Sequence, residues 1–273
     1  MRRLRDSARL QHNARMLRTV TATRYVTPLR EGGSLPALIE ADDDGMYVLK
    51  FRGAGQGPRV LAAEWICGEL ARLLGLPVPE IVGVEVDRGL GDAEPDEEIQ
   101  DLIHASDGLN LGLDFLPGSL PFSPAAGPPP DPAFAADVVW FDGFVMNPDR
   151  SPQNVNMLEW HGRPWLIDHG AALYVHHTWR DVEAHARRPF ERIRDHVLLP
   201  YAGSIEEADA RLAPRLDSTS IGEIVEAVPD LWLPRDPVIG GPTAQRRAYV
   251  TYLLRRLEAP RPFVEEADNG REA

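Results

Sequence analysis

Apolar positions come in short runs of strand length up to residue 116 and in longer helical stretches from residue 132 onward. In the first part, 17–25 alternates moderately. The apolar runs 35–40 and 46–51 are joined by Ala41-Asp42-Asp43-Asp44-Gly45, a hairpin-like turn. Pro58 stands at a helix start, and 59–74 reads as an amphipathic helix ended by Gly75, with Val60, Ala63, Cys67, Leu70 and Leu74 as its apolar stripe. Residues 79–86 read as a strand, 95–104 as an acidic helix and 109–116 as a final extended segment.

Between the two parts, Pro121, Pro124, Pro128, Pro129, Pro130 and Pro132 exclude both helix interior and central strand, so 117–132 is expected to be a surface connection. Beyond it the pattern predicts a helix over 132–145 and short strands over 155–160 and 164–167 around the turn His161-Gly162. Several helices follow up to 258, of which 245–257 is the clearest. The expected fold class is α+β and bilobal, with a β-rich lobe over 19–116, a mainly helical lobe over 133–260 and any ligand in the cleft between them. At the ends, 1–18 is expected to be a basic arm and 261–273 a disordered tail.

Composition narrows the function classes. A hydrophobic share of 43% and a charged share of 26% fit an ordinary globular chain. No apolar run is long enough to span a bilayer, the start Met1-Arg2-Arg3-Leu4-Arg5 has no apolar leader stretch, and the single Cys67 cannot form an internal disulfide, so a cytoplasmic location is expected. The formal charge of −13 opposes binding to DNA and to anionic membranes, and neither is expected as a partner. The arm at 1–18 departs locally, with Arg2, Arg3, Arg5, Arg9, Arg15 and Arg18 against a single Asp6. Lys50 is the only lysine among 29 basic residues. Lysine offers a compact point charge where arginine offers a broad fork, so this position is a candidate for a site that needs the smaller cation.

The chemistry concentrates in Asn147-Pro148-Asp149-Arg150-Ser151-Pro152-Gln153-Asn154 and, after a hairpin, Leu166-Ile167-Asp168-His169-Gly170. Phosphoryl transfer needs a carboxylate near the attacking hydroxyl and oxygen ligands that hold Mg²⁺ against the phosphates. Asp149 and Asn154 have the interval of the Asp and Asn of a kinase catalytic loop, and Asp168 follows at the end of a short strand, where a second metal-binding carboxylate belongs. Glu64 falls on the edge of the 59–74 stripe, with Glu69 opposite, and a carboxylate facing the fold there is expected to pair with Lys50, the alternative being that it reaches solvent or an arginine.

The ordered array resembles the HipA-like family of kinases. It is carried by Gly32-Gly33-Ser34, Tyr47-Val48-Leu49-Lys50-Phe51, Leu113-Asp114-Phe115-Leu116-Pro117-Gly118, Asn147-Pro148-Asp149-Arg150 with Asn154, and Leu166-Ile167-Asp168-His169-Gly170. The resemblance implies an ATP-dependent phosphotransferase with ATP and Mg²⁺ as cofactors. Asp149 would be the catalytic base, with Arg150 beside it, and Asn154 and Asp168 the Mg²⁺ ligands. Lys50, paired with Glu64, would meet the ATP phosphates. Gly32, Gly33 and Ser34 would form the phosphate loop, and the backbone of Asp114, Phe115 and Leu116 would receive the adenine.

Departures from the family pattern limit what carries over. Ser151 stands where many relatives have His, Gln153 where a phosphate-contacting Lys is common, and His169 where protein kinases have Phe. Arg150 either supplements the phosphate charge or fixes the loop by pairing with a carboxylate. The extra N-terminal subdomain of the larger toxin kinases is not expected, since only about 20 to 30 residues precede the first lobe, and an antitoxin partner is not carried over. The phosphoacceptor is read as a protein Ser or Thr hydroxyl. A small-molecule or lipid-headgroup kinase and a nucleotide-binding pseudokinase are the alternatives. His161, His169, His176 and His177 are not read as a zinc site, because adjacent His176 and His177 would point to opposite faces of a strand. Trp140, Trp160, Trp165 and Trp179 are read as packing residues rather than a base-stacking platform.

Overall fold

The computed structural model describes residues 16–29, 35–92, 94–124 and 127–272. Five strands, β1 (Thr19–Pro28), β2 (Ala37–Ala41), β3 (Met46–Lys50), β4 (Ile81–Val86) and β5 (Gly108–Asp114), close into a barrel in the order β1-β2-β3-β5-β4. All neighbours pair antiparallel except β1 with β4. Helices α1 (Arg59–Leu74) and α2 (Glu97–Ala105) belong to the same part of the chain. After it come β6 (Leu120–Pro121), α3 (Pro132–Val145), β7 (Met157–Trp160), β8 (Arg163–Leu166), α4 (Val182–Ala186), α5 (Ile205–Leu212), α6 (Ser218–Glu226), α7 (Pro242–Leu257) and α8 (Pro262–Glu272). The mixed α+β class expected from the sequence is the class observed.

The β2–β3 hairpin turns where the acidic run predicts it. Asp44 takes a φ of 61°, and the Gly45 N–H donates to Asp43 Oδ1 at 3.0 Å. In β3, Tyr47 and Leu49 point into the barrel with Ile39, Val82 and Val84. Strand alternation then sends Lys50 to the outer face. Beyond it, Asn110 on β5 takes the Arg52 N–H on its Oδ1 at 2.7 Å and donates from Nδ2 to Ser106 O and Gly108 O, which ties the exit of β3 to β5.

Helix α1 has the limits that Pro58 and Gly75 predict. Gly75 sits at φ 84°, and the Leu76 N–H reaches back to Ala71 O at 2.9 Å, closing the helix end. Its burial differs from the expected stripe. Leu61, Ala62, Trp65 and Ile66 are buried together with Ala63, Cys67, Leu70 and Leu74, and Glu69, placed opposite the stripe, is only 9% exposed. The helix is covered on both sides, by β4 and β5 on one and by α6 and the 3₁₀ turn Asp230–Trp232 on the other. Arg59 Nη2 pairs with Asp236 Oδ2 at 2.7 Å, Trp65 Nε1 donates to Ile224 O at 2.9 Å, and Arg215 Nη1 donates to Leu74 O at 2.6 Å. One hydrophobic core therefore runs from α1 through α3 to α7, and a second fills the barrel.

In α3, Asp131 caps the Phe134 N–H at 2.8 Å and Pro132 opens the first turn. The β7–β8 hairpin turns at His161 and Gly162 with φ of 51° and 70°, the paired positive values of a tight two-residue turn. Two expectations are corrected. The end of the chain is not a disordered tail: 262–272 is helix α8, and Phe263 is buried against Trp140 at 5.8 Å and Phe144 at 6.3 Å. Apolar burial of Phe263, Val264 and Ala267 is what docks this otherwise polar stretch. His176 and His177 lie in the 3₁₀ turn Tyr174–His177 rather than on a strand.

The first 15 residues of the basic arm lie outside the described residues. Its last cation, Arg18, is engaged within the fold, with Nη1 on Asp43 Oδ2 at 2.6 Å, Nε on Glu80 Oε1 at 3.0 Å and Nη2 on the Tyr47 hydroxyl at 2.9 Å. Trp140 and Trp179 are buried in the larger core. No helix among the described residues is long and apolar enough to cross a membrane.

Candidate active site

Lys50, at the end of β3, meets Glu64 from α1 and Asp168 from the loop after β8. Its Nζ donates to Glu64 Oε2 at 2.6 Å and to Asp168 Oδ1 at 2.7 Å. Burial by itself would lower the lysine pKa, but Asp168 and Glu64 outweigh it and hold the ammonium above the usual lysine range. Glu64 is completely buried. Its burial favours the neutral acid, yet the Lys50 charge prevails and keeps the carboxyl well below the usual carboxylate range. The Asp168 side chain remains 42% exposed. The sequence-predicted Lys50–Glu64 pair is thus formed, and Asp168 joins it.

The loop that delivers Asp168 is shaped by two local features. Asp168 itself adopts a φ of 58°, the left-handed region that Asp tolerates better than most side chains. Gly170 lies directly on α1, where an added Cβ would stand 2.5 Å from Val60 Cγ1, so only glycine lets the loop approach this closely. Between them, His169 is fully buried, edge-on to Phe141 at 5.9 Å, with its Nδ1 3.7 Å from Glu64 Oε1. That distance is too long for a hydrogen bond.

The 147–154 loop starts where α3 ends, at the left-handed Met146. Asn147 Oδ1 accepts the Asp149 N–H at 3.1 Å, and the Asp149 side chain is half-buried. Ser151 and Asn154 exchange backbone hydrogen bonds at 3.0 and 3.1 Å, which leaves the Asn154 side chain on an exposed turn. The Ile167 N–H donates to Asn156 O at 3.1 Å, so the residue before Asp168 lies against the segment that carries Asn154.

Arg150, grouped with Asp149 by sequence, points the other way. It is buried, and its Nε donates to Asp142 Oδ2 at 2.6 Å while Nη1 reaches the carbonyls of Asn156 and Ile167. This corrects its expected catalytic role: the guanidinium ties the loop from behind, which is the carboxylate-pairing role. Asp142 is fully buried on α3 and also takes Asn147 Nδ2 on Oδ1 at 3.0 Å and His196 Nε2 on Oδ2 at 2.9 Å. The Leu198 N–H donates to His196 Nδ1, so the ring proton sits on Nε2 and faces the carboxylate. Burial would raise the Asp142 carboxyl, but Arg150 and His196 hold it well below the usual range.

Asp142, His196 and Asn156 were not found from sequence. Asp142 carried a readable signal, since it is the one acid between Val138 and Val145 of an otherwise apolar helix and needed a partner. His196 and Asn156 carried none. At the expected adenine segment, the Asp114 N–H is taken by Glu80 O at 2.8 Å and the Phe115 N–H by Met46 O at 3.0 Å, so the Leu116 amide is the candidate donor there. Gly32, Gly33 and Ser34 lie outside the described residues. Among the described residues, no group of three or more His, Cys, Asp or Glu side chains is placed to hold a metal ion.

No curated protein matches the chain. Among solved structures, the fold is similar to that of the Helicobacter pylori proinflammatory kinase CtkA, with a TM-score of 0.56 at 12% identity, covering 94% of this chain and 98% of that one. A family model of HipA-like kinases matches residues 23–264. That match takes in β3, α1, the 147–154 loop and the Asp168 loop together, and the chain belongs to the HipA-like kinase family.

Proposed function

We propose that the protein transfers the γ-phosphate of Mg²⁺-bound ATP to the hydroxyl of a protein serine or threonine, in the cleft between a lobe formed by the barrel with α1 and a helical lobe. The observation that carries this reading is the position of Lys50, the sole lysine, within 2.6 Å of Glu64 and 2.7 Å of Asp168. An ammonium held by a buried carboxylate on one side and a half-exposed one on the other is poised to exchange the exposed partner for phosphate oxygens.

The donor set suits Mg²⁺. Asn154 and Asp168 offer hard oxygen ligands, both reachable from solvent, and Mg²⁺ on a nucleotide needs only one or two protein ligands beside the phosphates and water. When bound, the metal neutralises charge on the phosphates. Lys50 contacts the phosphates while Glu64 keeps it in place. Asp149 accepts the proton as the acceptor O–H bond breaks, the acceptor oxygen bonds to the γ-phosphorus, and the bond from that phosphorus to ADP breaks. Partial exposure of Asp149 and the exposed position of Asn154 support an acceptor presented on another chain.

Thermal melting tests the nucleotide site. Saturating ATP with Mg²⁺ should raise the wild-type midpoint by roughly 5 to 10 °C, as about 2.7 kcal/mol of binding free energy implies at a hundredfold excess over Kd. Lys50→Met, whose unliganded midpoint falls because Glu64 is left buried without its cation, should lose most of that shift. An equal shift in both proteins would show that the nucleotide does not use Lys50.

A further inference from the structure

Asp149 is bracketed by two asparagines. Asn147 Oδ1 takes its N–H, and on the other side Asn156 Nδ2 donates to its carbonyl at 2.6 Å and stands 3.3 Å from carboxylate oxygen Oδ2. We propose that Asn156 is a positioning residue for phosphoryl transfer, its side-chain amide holding Oδ2 of Asp149 so that Oδ1 faces the acceptor hydroxyl. This rests on the reading of Asp149 as the base.

Three features of Asn156 point the same way. Its φ is 48°, a left-handed conformation in which Asn is several-fold enriched over other side chains. That conformation turns its carbonyl towards the Arg150 guanidinium and the Ile167 N–H, the latter at 3.1 Å. Its amide meanwhile reaches the Asp149 carboxylate. One residue therefore joins the segment of the base to the strand end that delivers Asp168. A carboxylate on a half-exposed loop can rotate about two side-chain bonds, and a base that is turned away cannot take the proton from a hydroxyl on its way to the phosphorus. The neutral amide fixes the carboxylate without competing for the phosphates, as an ammonium would.

Backbone and side-chain roles separate experimentally. Glycine and aspartate both accept the left-handed backbone, but neither supplies the donor, and Asn156→Asp sets a second anion against Asp149. Transfer of labelled γ-phosphate from ATP, to the chain itself or to water, is measured with ATP KM and the melting midpoint. The expected result is a kcat lower by about 10- to 100-fold in Asn156→Gly and lower still in Asn156→Asp, with ATP KM within roughly twofold of wild type. A wild-type kcat in Asn156→Gly overturns the proposal. So does a loss in which kcat falls only together with a raised KM and a collapsed midpoint, which marks a structural role. A wild-type chain that binds nucleotide but transfers no phosphate removes the reading of Asp149 and this inference with it; an active wild type matched by Asn156→Gly removes this inference alone.

Discussion

Replacing Asp149 by Asn is expected to lower γ-phosphate transfer by about 10²- to 10⁴-fold, the contribution of a positioned base, while the ATP-induced rise in melting temperature stays as in the wild type. The substitution keeps the size of the side chain and both backbone anchors, the N–H on Asn147 and the carbonyl on Asn156. On the proposed role, it removes the site that would receive the proton. Lys50, Glu64 and Asp168 do not contact Asp149 through any hydrogen bond or ion pair in the structure, so nucleotide binding has no reason to follow activity down. Transfer at the wild-type rate would strip Asp149 of its role. A parallel loss of nucleotide stabilisation would instead mean that the loop had collapsed.

The second large effect concerns stability. Arg150→Met should cost about 3 to 5 kcal/mol in urea unfolding at pH 7, because it leaves the fully buried Asp142 carboxylate without its guanidinium. The pH dependence has a definite sign. With Arg150 present the folded Asp142 pKa lies below its unfolded value, so the stability it contributes is fully present above about pH 4 and is lost as pH falls below that. Without Arg150, burial dominates and favours the protonated acid. The gap between wild type and variant should therefore narrow between pH 5 and roughly pH 3, and the double variant Asp142→Leu, Arg150→Met should recover much of the loss at pH 7. A gap under about 1 kcal/mol, or one independent of pH, would show that the pair does not hold the loop.

These residues also mark how far the sequence could be read. The limits of α1 and α3 were legible because Pro58, Gly75 and the Asp131-Pro132 pair act locally, through φ restriction and capping. Lys50, Glu64 and Asp168 were legible through order and alternation: a strand dictates which side its last residue faces, and a helix dictates which acid lies beside the apolar stripe. Arg150 was legible only as a choice between phosphate and carboxylate, because a loop has no such period. Its direction is set by Asp142, eight residues earlier on a different element. The all-round burial of α1 depends on α6 and the 230–232 turn, which pack on it from about 160 residues away in the chain. Helix α8 escaped because three apolar side chains suffice to dock it once Trp140 and Phe144 offer a surface, and nothing in a polar eleven-residue stretch announces that surface.

On the proposed function, the cleft holds Mg²⁺-bound ATP with its phosphates on Lys50. A crystal structure with Mg²⁺ and a non-hydrolysable ATP analogue tests it most directly. The expected result has phosphate oxygens within hydrogen-bond distance of Lys50 Nζ, the ion held by Asn154 and Asp168, and the adenine against the backbone of 114–116. An analogue bound elsewhere, or Lys50 still closed on Asp168 with the phosphates out of its reach, would contradict it.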